Sequence, residues 1–74
     1  MLEKLKAKRS IRRYQKLIKA VEQKRVRSQA ALVEAILTNT TPNDSDVDYF
    51  NKYTAEIDSL RGEMHELQLK LEKL

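Results

Sequence analysis

Thr38-Asn39-Thr40-Thr41-Pro42-Asn43-Asp44-Ser45 is the one stretch of this chain dense in turn and cap residues, and it divides a helical pattern into two arms. Two helix starts compete inside it. Thr41-Pro42-Asn43-Asp44 offers an N-cap, a proline at the first helical position and an acid at the third. Ser45-Asp46-Val47-Asp48 offers a second cap. With either start, Asp44, Asp46 and Asp48 lie near the positive end of the helix dipole and stabilise it.

Upstream of this stretch, from about residue 3 to 37, there is neither Gly nor Pro. Ile11, Tyr14, Ile18, Val21, Arg25, Ser28, Leu32 and Ala35 recur at alternating steps of three and four. That is the spacing of a coiled-coil seam, with polar intrusions at Arg25 and Ser28. Residues 30–37 are apolar nearly all round, a pattern that calls for more than one neighbour. Downstream, Phe50, Tyr53, Ile57, Leu60, Met64, Leu67, Leu71 and Leu74 repeat the alternation without a polar break. Gly62 falls outside that seam and lowers helix propensity by about 1 kcal/mol without disturbing packing.

A short turn between two long helices implies an antiparallel hairpin. The expected bounds are helix 1 over about 3–37, a turn over about 38–45 and helix 2 over about 46–74, in one domain spanning 1–74. Folding about residue 41 sets Leu32 against Phe50, Val21 against Leu60, Ile18 against Met64 and Ile11 against Leu71, so the two seams match. It leaves residues 1–7 as a basic overhang.

A single helix pair has one seam and a small core. A second apolar edge, Leu17, Ala31 and Ile36 with Leu69 on the other arm, calls for cover. The fold expected is therefore all-α: a coiled-coil-like two-helix hairpin that dimerises into an antiparallel four-helix bundle. Leu17, Ala31, Leu32, Ile36 and Phe50 are the candidate dimer or partner interface. A monomeric coiled coil is the simpler alternative.

Composition limits the rest. A chain of 74 residues buries only roughly 60% of its unfolded surface, so helix quality or self-association must supply stability. It has no Cys, hence no disulfide or thiolate metal site, and its one histidine cannot build a zinc site. No apolar run approaches the ~20 residues of a membrane span, and no signal-peptide pattern is visible. The expected setting is soluble and cytoplasmic. Asn39-Thr40-Thr41 matches a glycosylation acceptor, which carries little meaning in that setting.

Charge is divided along the chain. Residues 1–27 hold eleven of the fifteen Lys and Arg and two of the eleven acids, a net +9; residues 28–74 hold four bases and nine acids, a net −5. Glu56, Asp58, Glu63, Glu66 and Glu72 on the antiparallel arm are expected to neutralise part of the basic segment, leaving a positive surplus. Cations near a helix N-terminus oppose the dipole, so stability alone does not explain them. They point to an acidic partner. Lys4, Lys6, Lys8, Arg9, Arg12, Arg13, Lys16 and Lys19 are the candidate contact residues, and Lys8, Arg9, Arg12, Arg13, Lys16 and Lys19 among them cover a broad outer face of helix 1.

Nucleic acid is the commonest such partner, and arginine forks suit phosphate. Tyr14 is the only aromatic in the segment and lies in the seam, so a stacking platform for single strands is missing. With no zinc-finger or helix-turn-helix spacing, the contacts expected are electrostatic and weakly specific. The alternatives are a protein-binding adaptor or inhibitor of the small accessory kind that phages encode, with residues 30–37 as its surface, or a structural part of a larger assembly. Membrane-surface binding is disfavoured, because the apolar face of helix 1 is matched to helix 2 and lacks bulky aromatics.

Arg25 lies in the seam, where it either fixes register or packs its stem while its head reaches solvent or Glu22. His65 falls on an outward position. Asp44, Asp46 and Asp48 lack the glycine and terminal glutamate of a calcium loop. Nothing resembles a catalytic triad or a phosphate loop, so no enzyme activity, cofactor, metal or small-molecule substrate is expected.

Overall fold

The computed structural model describes residues 2–73. Two helices make up the fold: α1, Leu2–Leu37, and α2, Asp44–Lys73. They lie against each other along a rod of 57 × 15 × 14 Å. At 1.5 Å per residue, α1 alone spans about 54 Å, so the rod is one helix long. The architecture is an antiparallel helical hairpin.

Every expected seam position of α1 is half-buried or buried: Ile11, Tyr14, Ile18, Val21, Arg25, Ser28, Leu32 and Ala35. The same holds on α2 for Phe50, Tyr53, Ile57, Leu60, Met64, Leu67 and Leu71. The last expected position, Leu74, lies outside the described residues. The tightest packing is at mid-rod. Ile18, Val21 and Ile57 form the buried core, with Tyr53, Leu60 and Met64 packed on it. Ile57 is 0% exposed, and such burial of an isoleucine stabilises by about 1.5–3 kcal/mol. Glu22 pairs with Arg61, one residue from Leu60, the neighbour that folding about residue 41 sets opposite it.

The polar intrusions are accommodated locally. The Ser28 hydroxyl donates to the Lys24 carbonyl one turn back, at 3.4 Å. Arg25 is half-buried, and its expected partner Glu22 is taken by Arg61. Gly62 is exposed, with open space where a Cβ would project.

The connection is built from two distinct pieces. First, α1 ends in a reverse cap: Thr40 N–H donates to the Ala35 carbonyl at 2.8 Å and Asn39 N–H to the Ile36 carbonyl at 3.1 Å. Asn39 takes the left-handed conformation, φ 61°. This is the Schellman arrangement, with asparagine where glycine is commonest. The Thr38 hydroxyl adds a bond to the Glu34 carbonyl at 2.9 Å. Second, α2 starts at Asp44, between the two expected caps. The Asn43 carbonyl receives Val47 N–H at 3.2 Å and Asp46 N–H at 3.1 Å, which makes Asn43 the N-cap in place of Thr41 or Ser45. Residues 38–40 close α1, and Thr41 and Pro42 link them to the cap at Asn43. Asn43 then comes before Ser45 and is an equally good capping residue.

Near the open end, Lys70 and Lys73 share a shallow hollow with Glu3, Lys6, Ala7 and Ser10. The tip of α2 therefore flanks the first turns of α1, and the overhang is shorter than residues 1–7. The hairpin exposes 6160 Å², whereas a compact monomer of 8.7 kDa exposes roughly 4,700 Å². A surplus of about 1,400 Å² follows from the rod shape.

Candidate nucleic-acid interface

The long unbroken helix of α1 arranges the cations. Residues seven apart lie on one side of a helix, so Lys6 and Arg13, Arg9 and Lys16, and Arg12 and Lys19 form three adjacent rows facing away from α2. Lys8 flanks these rows. Lys4 continues the seam row of Ile11 and Ile18 past the end of tight packing. All eight candidates, Lys4, Lys6, Lys8, Arg9, Arg12, Arg13, Lys16 and Lys19, are exposed.

Their charge is not neutralised by close pairing. Among the described residues the one ion pair within 4 Å is Arg61–Glu22, which involves none of the eight. The acids expected to offset them, Glu56, Asp58, Glu63, Glu66 and Glu72, are all exposed and pair with none of them. Asp58, Glu66 and Glu72 occupy outward positions of α2, and the outer faces of two packed helices point in opposite directions. Glu63 faces Tyr14 instead. Hydrogen bonding to Glu63, then burial, then the negative charges of Glu63 and Glu66 push the Tyr14 phenol above its ordinary 10.0. Tyr14 itself is half-buried in the seam. Among the described residues the one close aromatic pair, Tyr49 and Tyr53 with centroids 6.0 Å apart, stacks on α2 near the turn. Beside the basic face the one aromatic among the described residues is the half-buried Tyr14, which lines a hollow with Arg13.

Charge spacing on the face is regular. Lys6, Arg9, Arg12, Arg13, Lys16 and Lys19 occupy about 20 Å of helix axis. One strand of DNA carries a phosphate every 3.4 Å, or about six over that length. Sequence reasoning restricted the face to α1. Lys70 and Lys73 of α2 join its open end beside Lys6. The signal was available in the register, because folding about residue 41 brings Lys73 abreast of Arg9.

The candidate interface residues do not form one surface. Leu32 and Phe50 are half-buried in the seam, as is Ala31 beside it. Leu17 and Ile36 are exposed. Ile36 lies five residues beyond Ala31, roughly 140° around the helix, so Leu17 and Ala31 flank one side of the seam and Ile36 the other. His65 is exposed. Among the described residues no group of three or more His, Cys, Asp or Glu is placed to hold a metal ion. No helix among them is long and apolar enough to cross a membrane.

Compared with known proteins, the chain matches no family model, no curated protein and no solved structure.

Proposed function

We propose that this hairpin is a non-enzymatic binding protein whose α1 outer face holds nucleic acid through phosphate contacts. One observation carries the reading: eight exposed cations on a single rigid helix, with no ion-pair partner within 4 Å among the described residues. Unpaired cations at this density raise the local concentration of a polyanion and release its counterions on contact. The missing aromatic platform favours duplex over single strand, and the rows of Arg and Lys supply no base-reading geometry. Binding is then tight at low salt and indifferent to sequence.

A salt titration against a generic labelled duplex tests this. If all six cations of the three rows contact phosphate, the slope of log affinity against log salt is about −5. Changing Arg9, Arg12, Arg13 and Lys16 together to Gln flattens it by about 3 to 4 and leaves the helical circular dichroism unchanged. No binding of the unaltered chain at low salt would overturn the reading and direct the search to an acidic protein surface.

A further inference from the structure

The outer side of α1 changes character along its length. Cations cover it as far as Lys19; from Val26 onward two of its three rows are apolar and the third carries Arg27 and Glu34. Val26, Ala30, Val33 and Leu37 follow one another at steps of four, three and four, the spacing of a seam, on a side turned away from α2. Val26 is 60% exposed, Val33 46% and Leu37 80%, and the four residues line one shallow hollow. Between Ser28 and Leu37 the only charge is Glu34, in a chain that is 35% charged.

We propose that a second copy of this chain docks on this stripe, antiparallel, through an α1–α1 contact centred near Ala30. In a two-fold contact residue i of one copy meets j of the other and j meets i, so an axis at Ala30 brings together residues at equal distances before and after it. Centring on Ala30 puts the smallest side chain of the stripe at the axis and Val26 of one copy within one residue of the level of Val33 of the other. Arg27 and Glu34 lie seven residues apart along one flank of the stripe, and neither has an ion-pair partner within 4 Å among the described residues. In the antiparallel contact Arg27 of each copy comes beside Glu34 of the other. The hairpin already uses such a flank-to-flank pair in Glu22 and Arg61.

This dimer differs in shape from two hairpins packed side by side. Overlap centred on Ala30 gives a particle about 85 Å long, against 57 Å for a single hairpin. The basic segments lie at opposite ends, their centres about 55 Å apart. That they hold two separate duplex segments rests on the nucleic-acid reading; the contact itself does not.

Light scattering and small-angle X-ray scattering on the full chain, without nucleic acid, test the contact. The mass expected is twice 8.7 kDa, with a maximum dimension near 85 Å. Ala30→Glu places acids against each other at the axis while keeping a good helix former, so the mass falls to 8.7 kDa with unchanged circular dichroism. Arg27→Glu weakens the dimer roughly tenfold, and adding Glu34→Arg restores it. A monomer at high concentration, a dimer no longer than about 57 Å, or a dimer indifferent to Ala30→Glu and to the charge exchange would each overturn the proposal. Because no duplex is present, these outcomes are independent of the salt titration.

Discussion

Arg61 on α2 donates a hydrogen bond to the Glu22 carboxylate on α1, and this pair bridges the seam beside its most buried layer. Both side chains are more than a third exposed. Solvent screening therefore limits the pair to about 0.2–1 kcal/mol. A double-mutant cycle with Arg61→Ala and Glu22→Ala is expected to give a coupling energy inside that range, shrinking further in high salt. A coupling above 2 kcal/mol would show that the pair is shielded in solution.

Ile57 carries far more. Ile57→Ala opens a cavity against Ile18 and Val21 and is expected to destabilise by about 2–5 kcal/mol, read from urea unfolding. A chain of this size has only about 4–10 kcal/mol in total. Leu69→Ala, on an exposed position, is expected to change stability by less than about 0.5 kcal/mol.

Asn39 adopts a conformation that glycine enters without strain. Asn39→Gly is expected to hold or raise the melting temperature. Asn39→Val forces a β-branched residue to positive φ and costs about 1–2 kcal/mol, lowering the midpoint by roughly 4–8 °C per kcal/mol. Equal melting of the two variants would place the reversal elsewhere in the turn.

Gly62 offers the opposite lever. A methyl group there meets no atom within 4 Å, and the residue is in the middle of α2. Gly62→Ala is expected to stabilise by about 1 kcal/mol through propensity alone. Thermal unfolding at fixed protein concentration reads it, and a loss of stability would mean that this face is covered in solution.

Tyr14 supplies a pH signature. Its pKa is raised in the folded state, so its contribution to stability is fully present below 10.0 and is lost as pH rises through the higher folded value. Subtracting the phenolate absorbance titration of Tyr14→Phe from that of the unaltered chain isolates this group. Its midpoint is expected above 10.0, and Glu63→Gln is expected to bring it down. A midpoint at or below 10.0 would show that the hydroxyl does not face Glu63.

The seam was legible because a three-four alternation has only one physical use on a helix, and it survives two polar residues. Arg25 and Ser28 keep their places in it, Arg25 half-buried and Ser28 bonding its own backbone. The cap was not legible to the residue. Thr41, Asn43 and Ser45 are all sound N-caps by type, and the choice among them depends on how many residues the reversal at Asn39 consumes. The cationic face was legible from spacing. Its freedom from close pairing was not, since that depends on the direction in which each acid of α2 points. The apolar stripe from Val26 to Leu37 was hidden for a related reason. Residues 30–37 are apolar on nearly every side, and only the position of α2 shows which side stays open.

Ile18, Val21 and Ile57 sit at the midpoints of their helices, while the turn joins the arms at one end only. In mechanical terms the hairpin is a pair of tweezers, riveted at half-length and welded at the tail. The tail cannot part without breaking the chain's own connection, and the rivet yields only with the whole fold. The jaws, which carry the cations, are closed by half-buried contacts alone. They can part and close again as a local fluctuation, leaving the rivet and the tail in place.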